Sequence, residues 1–231
     1  MCLYKTKDGK ALNGVCYNRS KEVSMLRILV LGATGRVGSH VVSLALRDNH
    51  HVTAVVRTPH KLNNCHDNLH IIKGDVTDKH NIEAAMKNID IVISALSTDG
   101  TTTLTKSIPV ILDAMTKENV KRIITVGTAG ILQSRLDPGL LRYQSSESRR
   151  TTTFSAQEHH QVFELLKQSK MDWTIVCPTY LPDGMYTGHY RIERSFLPKG
   201  GTEISVADTA EFTYQQIKNS DYLKARVGIA Y

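Results

Sequence analysis

The chain has 231 residues, of which 41% are hydrophobic and 22% are charged, and this length suffices for one domain with a substantial core. No apolar run is long enough to span a membrane, and the amino terminus lacks the apolar centre of a secretory signal. The four cysteines (Cys2, Cys16, Cys65 and Cys177) have no CxxC spacing, which is typical of unpaired thiols in a cytoplasmic protein. The net charge of +7 comes without aromatic interleaving or a nucleic-acid-reading motif, so we expect neither nucleic acid nor a membrane as partner.

Residues 1–25 differ from the rest of the chain. They are polar, show no clear hydrophobic period, and hold five basic and two acidic residues. We interpret them as an N-terminal extension, either a disordered tail or an upstream segment, with Met25 as an alternative start. Residues 26–231 then form the predicted single domain.

A strand, a glycine turn and a helix follow each other at the start of this domain. Residues 27–31 are an apolar run, and glycines at GxxGxxG spacing come directly after it. Apolar residues then recur at helical spacing up to Arg47. Gly32 allows a tight turn, Gly35 the close approach of a phosphate, and Gly38 the close packing of helix on strand. Because free backbone N–H groups and the positive end of a helix meet here, the sequence predicts a pyrophosphate site.

The second strand supplies the residue that selects the cofactor. Residues 51–57 are predicted as this strand, and it ends about twenty residues beyond the glycines, where dinucleotide folds contact the adenosine ribose. An Asp or Glu there would bind the 2′-hydroxyl of NAD, whereas this chain has Arg57, with Lys61 nearby and Arg36 inside the glycine turn. Since Arg presents a planar fork to phosphate oxygens, these cations favour NADPH. The alternative is that Arg57 is a solvated loop cation.

The rest of the chain continues to alternate strands with helices. Strands are predicted at residues 70–75, 90–95, 121–127 and 173–177, and helices at residues 81–88, 105–118 and 156–169. Pro109 is tolerated only near the beginning of its helix. This alternation predicts an α/β fold, a Rossmann-type doubly wound parallel sheet in a single domain.

Two long irregular segments and the C-terminal elements complete the prediction. Residues 134–155 and 181–201 are expected to form loops on the substrate side. A last helix is predicted to start within residues 205–208 and to run to about Asn219, with Asp208 as its N-terminal cap or dipole partner, and an edge strand follows at residues 226–230.

With these residues identified, the chain resembles the atypical short-chain dehydrogenase/reductase superfamily. Within it, the chain is similar to the NAD(P)H-binding group of NmrA-like proteins and of flavin and biliverdin reductases. The resemblance covers about residues 26–231 and depends on five motifs: Gly-Ala-Thr-Gly-Arg-Val-Gly (32–38), Val-Val-Arg (55–57), Lys-Gly-Asp-Val (73–76), Val-Cys-Pro (176–178) and Tyr-Thr-Gly-His-Tyr (186–190). The last motif points toward the flavin and biliverdin reductase branch.

The resemblance implies a line of cofactor contacts at the carboxyl ends of the strands. Asp75 and Val76 would flank the adenine, residues 94–96 would line the ribose and pyrophosphate path, residues 127–129 would approach the nicotinamide, and residues 178–180 would close over the carboxamide. The expected cofactor-binding residues are Gly32, Thr34, Gly35, Arg36, Val37, Arg57, Asp75, Val76, Ala95, Leu96, Gly127, Pro178, Thr179 and Tyr180. Aromatic residues that would stack on a flavin are Tyr180, Tyr186, Tyr190 and Trp173, although Trp173 lies within a buried strand and is expected in the core.

The chain departs from the superfamily at the catalytic pair. Many members carry Tyr-x-x-x-Lys on the helix after strand five, but here the Lys position aligns with His160 and the Tyr position with Ala156. The expected catalytic residues are instead Thr128, where related reductases have Ser or Thr near the nicotinamide, and His159 and His160. Each histidine either binds the ribose, orients substrate, or is a solvated residue at a helix start.

These features favour an NADPH-dependent oxidoreductase that passes hydride to a planar conjugated small molecule, with FMN or FAD as candidate substrates. The alternative is a non-catalytic NADP(H)-binding redox sensor that resembles NmrA-like regulators and reports to a protein partner. An epimerase or dehydratase acting on a nucleotide-linked sugar is disfavoured by the missing Tyr–Lys pair.

No metal site is expected, because His66 and His70 lie where a loop enters a strand and share no helical face.

Overall fold

The fold is taken from a computed structural model, which describes residues 25–62, 66–148 and 150–231. In these segments the strands are β1 (Arg27–Leu31), β2 (His51–Val56), β3 (Leu69–Lys73), β4 (Ile91–Ser94), β5 (Arg122–Val126), β6 (Asp172–Pro178), β7 (Arg191–Arg194) and β8 (Ala225–Ala230). The helices are α1 (Arg36–Arg47), α2 (Lys79–Met86), α3 (Thr103–Lys117), α4 (Phe154–Gln168) and α5 (Val206–Gln215). The predictions for residues 1–24, and for Cys2, Cys16 and Cys65, lie outside the described residues.

The strands of the described segments form one sheet, in the order β3-β2-β1-β4-β5-β6-β8-β7. Neighbouring strands are parallel except β7 and β8, which are antiparallel. From β1 the chain adds β2 and β3 on one side and then crosses to β4 on the other, so the strand order reverses between β1 and β4. The predicted Rossmann-type doubly wound sheet in a single domain is confirmed, and the reversal marks the crevice where such sheets bind ligands.

Helices cover both faces of the sheet. On one face α1 packs against α5, and Val41 and Phe212 are buried there. On the other face α3 lies between α2 and α4, with Ile111 and Leu166 in the core. Because the central strands are covered on both sides, Ile28–Leu31 of β1 are completely buried, which explains their continuous apolar sequence. Within the described segments no helix is both long and apolar enough to cross a bilayer.

The C-terminal edge of the sheet differs from the prediction. The strand expected at the edge, β8, is inside the sheet, because β7 pairs with it in register from Arg191 with Ala230 to Arg194 with Val227. The prediction of a loop over residues 181–201 therefore missed β7. This strand was missed because its sequence, Arg-Ile-Glu-Arg, is polar and mostly exposed, as a short edge strand tolerates.

Two helices also differ from the prediction. Pro109 lies in the second turn of α3 rather than near its beginning, where its ring removes one helical hydrogen bond. Helix α5 begins at Val206, within the predicted start, but it ends at Gln215 and not at Asn219. Its N-cap is Ser205, whose side chain accepts a hydrogen bond from the N–H of Asp208, so that Asp208 lies in the first turn, as the dipole-partner alternative requires. The expected cap, Asp208, instead accepts hydrogen bonds from the N–H groups of Thr187 and Gly188 at 3.0 and 2.9 Å, which ties the segment before β7 to α5.

Candidate functional site

Gly32 begins a tight turn directly after β1. It has a φ of +78°, and its carbonyl accepts a hydrogen bond of 2.9 Å from the N–H of Gly35. A side-chain carbon built on Gly32 would lie 2.6 Å from the carbonyl carbon of Ala95. One built on Gly38 would lie 2.8 Å from the carbonyl carbon of Gly32. Both distances are shorter than non-bonded carbon atoms allow, so the turn and the helix that follows require glycine at these positions.

The amino end of α1 is open to a ligand. Its N-cap residue, Gly35, has no side chain that would cap the helix, and the first turn contains no acidic residue. The first N–H groups of a helix have no partner within it, so those of Arg36 and Val37 are available at this end. With the helix dipole they favour an anion, and the bare backbone of the turn lets a phosphate approach closely. These residues fit the pyrophosphate of a dinucleotide.

The turn opens into a cleft of about 280 Å³ at the carboxyl ends of β1, β2, β3 and β4, which we call the first cleft. It lies at the reversal of strand order, where ligands bind in doubly wound sheets. Eight of the predicted cofactor-binding residues line it: Gly32, Thr34, Gly35, Arg57, Asp75, Val76, Ala95 and Leu96. Lys61, Ser97 and Asp99 line it as well.

Cations lie at the far end of the first cleft from the glycine turn. Arg57 and Lys61 both line it, and the Arg57 guanidinium lies 3.6 Å from the carboxylate of Asp99 in an ion pair that is exposed on both sides. Arg36 points elsewhere: its Nη1 donates to the carbonyl of Leu181 at 2.8 Å and to Asp183 at 3.1 Å. Thus two of the three predicted cations line the first cleft, and the third joins α1 to the segment after β6.

Asp75 provides a fixed negative charge in the same cleft. The hydroxyl and the N–H of Thr77 donate to its carboxylate at 2.7 and 2.8 Å. These hydrogen bonds hold the pKa of Asp75 below its usual value, so the carboxylate is ionised at neutral pH. A carboxylate in this place accepts hydrogen bonds well, as the edge of an adenine would require.

A second, larger cleft of about 560 Å³ lies beside the carboxyl ends of β5 and β6. We call it the second cleft. Three predicted residues line it: Thr128, Thr179 and Tyr180, the last with an exposed side chain. The loop before α4 and its first turn form much of the remaining wall, including Arg142, Tyr143, Glu147, Arg150, Thr153 and Ala156. Because β4 and β5 are neighbours in the sheet, the two clefts follow each other along its carboxyl edge.

Gly127 and Pro178 line neither cleft, although their neighbours Thr128 and Thr179 line the second one. The N–H of Gly127 donates to the carbonyl of Val176 at 2.7 Å, and Pro178 is a buried residue at the end of β6. The adjacent Cys177 is a free thiol, and burial raises its pKa to about 12. It is therefore an inert part of the core.

His159 does not have the exposed position that one alternative gave it. Its side chain is only 9% exposed and lies on the buried face of α4 with Val162 and Leu166. Burial lowers the pKa of His159 to about 4, so its imidazole is neutral at pH 7. The interpretation of His159 as a solvated residue at a helix start is therefore wrong. His159, Val162 and Leu166 are three and four positions apart, and this helical spacing was the signal in the sequence that His159 is buried.

His160 occupies a different setting one position later. Its Nδ1 shares a hydrogen bond of 2.9 Å with the hydroxyl of Tyr143, and its Nε2 lies 3.7 Å from the carboxylate of Glu164. Tyr143 was absent from the predicted site. No local pattern indicates it, because it stands in an aperiodic loop and meets His160 only in the folded chain. Trp173, by contrast, is 4% exposed and packs edge-to-face with Phe163 at 5.8 Å, which confirms it as a core residue.

Comparison with known proteins agrees with this geometry. A model of a family described as NAD(P)H-binding matches residues 32–220. Pinoresinol reductase 2 of Arabidopsis thaliana is 34% identical over 112 residues, which are 42% of this chain and 34% of that protein. The curated relatives are thus matched over only about a quarter to a third of their length, 26% to 34%.

Solved structures match over nearly the whole chain. A protein from Bacteroides thetaiotaomicron, proposed to be an epimerase, superposes with a TM-score of 0.78 and 29% identity over 90% of this chain and 97% of that one. A proposed NADH-flavin reductase from Streptococcus pneumoniae has a TM-score of 0.75 and 24% identity over 89% of this chain and 99% of that one. At 24% identity, the similarity to the Streptococcus pneumoniae protein shows a shared fold.

Proposed function

This chain belongs to the NAD(P)H-binding family, and we propose that it is an NADPH-dependent oxidoreductase that reduces a planar conjugated acceptor such as a flavin or a linear tetrapyrrole. The observation that carries this proposal is the order of features along one edge of the sheet. Along this edge Arg57 follows β2, the glycine turn follows β1, and the second cleft with Thr128 follows β5, in the strand order β2-β1-β4-β5. This order matches the order of groups in NADPH, from the 2′-phosphate to the nicotinamide.

Different residues along the sheet edge would bind different parts of NADPH. The N–H groups at the start of α1 would hold the pyrophosphate, and Arg57 with Lys61 would hold the 2′-phosphate. Asp75 and Val76 would flank the adenine, while Ala95 and Leu96 would line the path to the nicotinamide. Gly127, Thr128 and residues 178–180 would surround the nicotinamide itself. When bound, NADPH supplies a hydride, and the protein binds, orients and shields the reactants.

The second cleft is the proposed site of the acceptor. It begins at Thr128, where the nicotinamide would end, and Tyr180 offers an exposed aromatic ring, 61% accessible, at its rim. An exposed aromatic ring beside an open cleft suits stacking against a flat conjugated ligand. The relatives named as reductases support reduction as the kind of reaction. The acceptor is proposed from the resemblance to flavin and biliverdin reductases, together with the exposed ring of Tyr180 at the second cleft.

A second candidate function is a non-catalytic NADP(H) sensor that reports to a protein partner. The observation in its favour is the missing Tyr–Lys pair, since Ala156 lines the second cleft where the tyrosine would stand. Such a protein would bind NADP(H) in the way described above but would not oxidise NADPH with any acceptor.

An absorbance assay separates the two functions. Purified protein is mixed with NADPH and FMN, and the loss of absorbance from the reduced nicotinamide is compared with that of the protein-free mixture. We expect clear turnover above that background with FMN, other flavins or biliverdin. Tight NADPH binding with no turnover of any flavin, quinone or biliverdin would favour the sensor and contradict the proposed enzyme.

A further inference from the structure

A phenol reaches the second cleft from an element outside the superfamily's usual catalytic helix. Tyr143 lines this cleft together with Thr128 and Ala156. Its hydroxyl and the Nδ1 of His160 are 2.9 Å apart, a good hydrogen-bond distance. His160 takes the sequence position at which the superfamily has its lysine. The tyrosine missing from the helix is thus matched by one that comes from the preceding loop.

The loop that carries Tyr143 is held by its own hydrogen bonds. The N–H of Arg142 donates to the carbonyl of Leu132 at 2.8 Å, and the N–H of Leu141 donates to the side chain of Gln144 at 3.0 Å. The Nε2 of Gln144 also donates to the hydroxyl of Tyr143 at 3.3 Å. These contacts fix the backbone on both sides of Tyr143 and give its hydroxyl a second partner.

The carboxylate of Glu147 accepts hydrogen bonds from other residues of this loop and pairs with Arg142. The hydroxyl of Ser134 and the N–H of Leu136 donate to it at 3.0 and 2.9 Å, and the guanidinium of Arg142 lies 3.2 Å away. Although burial alone would raise the pKa of Glu147, backbone N–H donors lower it, so the carboxylate remains ionised. The loop is therefore anchored and keeps Tyr143 in one place.

Tyr143, Thr128 and Ala156 all pack around Gly130, and Thr128 Cγ2 would lie 3.6 Å from a side-chain carbon built there. A side-chain carbon built on Gly130 would lie 3.1 Å from the Cβ of Ala156 and 3.5 Å from the Cβ of Tyr143. Gly130 belongs to the short turn that Thr128 caps, since its N–H points at the Thr128 hydroxyl. The small side chain of Ala156 leaves the space that Tyr143 uses. Tyr143 thus lines the same cleft as Thr128, beside which the nicotinamide is proposed to lie.

His160 connects this phenol to charged groups at the surface of α4. Its Nε2 lies 3.7 Å from Glu164, whose carboxylate is also 3.9 Å from the ammonium of Lys167. The imidazole of His160 stacks on the ring of Phe163. The guanidinium of Arg226 lies 4.1 Å from the centre of the same Phe163 ring. Because the side chains of His160 and Glu164 are partly exposed, water can return a proton to the imidazole after each turnover.

We propose that Tyr143 is a proton donor for the reduction of conjugated carbonyl compounds, with His160 as the positioning residue that returns its proton. This proposal rests on the proposed function, since the hydride comes from the bound nicotinamide. The hydride forms a C–H bond at the acceptor carbon while the π electrons of C=O move to oxygen, and the Tyr143 proton goes to that oxygen. The acceptor gains two electrons, the nicotinamide is oxidised by two, and the Nδ1 proton of His160 restores the phenol.

The chemistry of the acceptor explains why a donor is needed. A carbonyl compound that receives hydride becomes an alkoxide or enolate, a strong base that must be protonated as it forms. A flavin that receives hydride gives a weakly basic anion that water protonates after release. A phenol fixed beside the nicotinamide therefore favours aryl carbonyls and enones as a second acceptor class, in addition to flavins.

The test compares two acceptor types in the same full-length protein. NADPH oxidation is followed with trans-cinnamaldehyde, acetophenone and 2-cyclohexenone, and separately with FMN. Tyr143→Phe should lower kcat for the carbonyl compounds about 100-fold or more, with KM little changed, and should change FMN reduction less than about threefold. His160→Phe should lower kcat in the same way, and His160→Asn, which keeps a hydrogen-bonding atom near Nδ1, should restore part of it. Tyr222→Phe is the matched control, because it removes a tyrosine hydroxyl near the amino ends of β6 and β8, away from the clefts at the carboxyl ends.

A second measurement needs no cofactor. In ¹H–¹⁵N spectra of the free protein, Tyr143→Phe should shift the Nδ1 signal of His160, and Tyr222→Phe should not. The proposal is overturned if the wild type reduces FMN but none of the carbonyl compounds, or if Tyr143→Phe slows both acceptor types equally or neither. An unshifted His160 signal also overturns it. If calorimetry shows that the wild type binds no NADPH, the proposed function has failed and this inference falls with it.

Discussion

The proposed preference for NADPH depends on Arg57. It lines the first cleft with Lys61, and its guanidinium is 3.6 Å from Asp99. The two side chains are 72% and 64% exposed, so water screens this ion pair and it is weak. A 2′-phosphate would offer the guanidinium two oxygens in a bidentate geometry, which Asp99 does not match at its present distance. We therefore expect Arg57 to leave Asp99 for the phosphate.

Replacing Arg57 should reverse the preference for NADPH. Arg57→Asp removes a charged hydrogen-bond donor and adds a repelling carboxylate, so NADPH binding should weaken by about 1.5–3 kcal/mol, or about 10- to 100-fold in Kd. NADH binding should change far less, because NADH lacks the 2′-phosphate. Titration followed by nicotinamide fluorescence measures both affinities, with Lys170→Asp, at the amino edge of the sheet, as a control for net charge. Equal losses for the two cofactors would contradict selection by Arg57.

Single residues were predictable where the site depends on local spacing. The glycine turn and Arg57 are set by the distance along the chain from β1 to the end of β2, which a sequence displays directly. The partners of Arg36 and of Tyr143 are set by contacts over 145 and 17 residues. Such contacts depend on how loops fold over the sheet, and no periodicity in the sequence encodes them.

At the scale of elements, α4 links the core to the second cleft. Its buried face carries His159, Val162, Phe163 and Leu166, while its first turn, with Ala156, lines the cleft. On the same helix Glu158 accepts hydrogen bonds from the hydroxyl and the N–H of Thr105 at 2.8 and 3.2 Å, which fixes α4 against α3. The helix is thus held firmly by the side opposite the cleft.

The burial of His159 makes the stability of the protein depend on pH. The unfolded chain binds a proton at this residue below about pH 6.5, whereas in the folded chain its pKa is about 4. The free energy of unfolding should therefore be unaffected by His159 above pH 6.5 and fall by up to about 3 kcal/mol as the pH decreases toward 4. His50, whose pKa burial also lowers, adds to the same slope.

Urea unfolding at a series of pH values between 7 and 4 measures this slope. His159→Leu should reduce it, leaving the share of His50 and of the carboxylates. Val162→Ala, on the same face of α4, should lower stability at every pH and keep the wild-type slope. An unchanged slope in His159→Leu would show that the imidazole is protonated in the folded chain or solvated there.

Strands and helices were predictable where apolar residues recur at a regular spacing. The central strands and α1 repeat apolar residues at strand or helix spacing, because packing on both sides of the sheet demands it. Strand β7 has no such pattern, since among the described residues it pairs with β8 alone and most of its side chains face solvent. The Pro109 position in α3 was also mispredicted, because tertiary packing of that helix outweighs one lost hydrogen bond.

At the scale of the whole molecule, the reversal of strand order creates the site. The chain crosses from β3 back past β1 to β4, so the loops after β1 and β4 diverge and leave the first cleft between them. The second cleft then follows along the same edge, after β5 and β6. Strand and helix alternation was enough to predict this architecture, since parallel sheets with right-handed crossovers admit few arrangements. The walls of the second cleft come from irregular loops, and for that reason the acceptor is harder to infer than the cofactor.

Isothermal titration calorimetry of the folded protein with NADPH and with NADH tests the central claim, that the first cleft is a binding site selective for the 2′-phosphorylated cofactor. Circular dichroism first establishes that the sample is folded. We predict one NADPH bound per chain, with a Kd at least about tenfold below that of NADH, in line with one charged hydrogen bond. Absence of heat with either nucleotide, or tighter binding of NADH, would contradict the account.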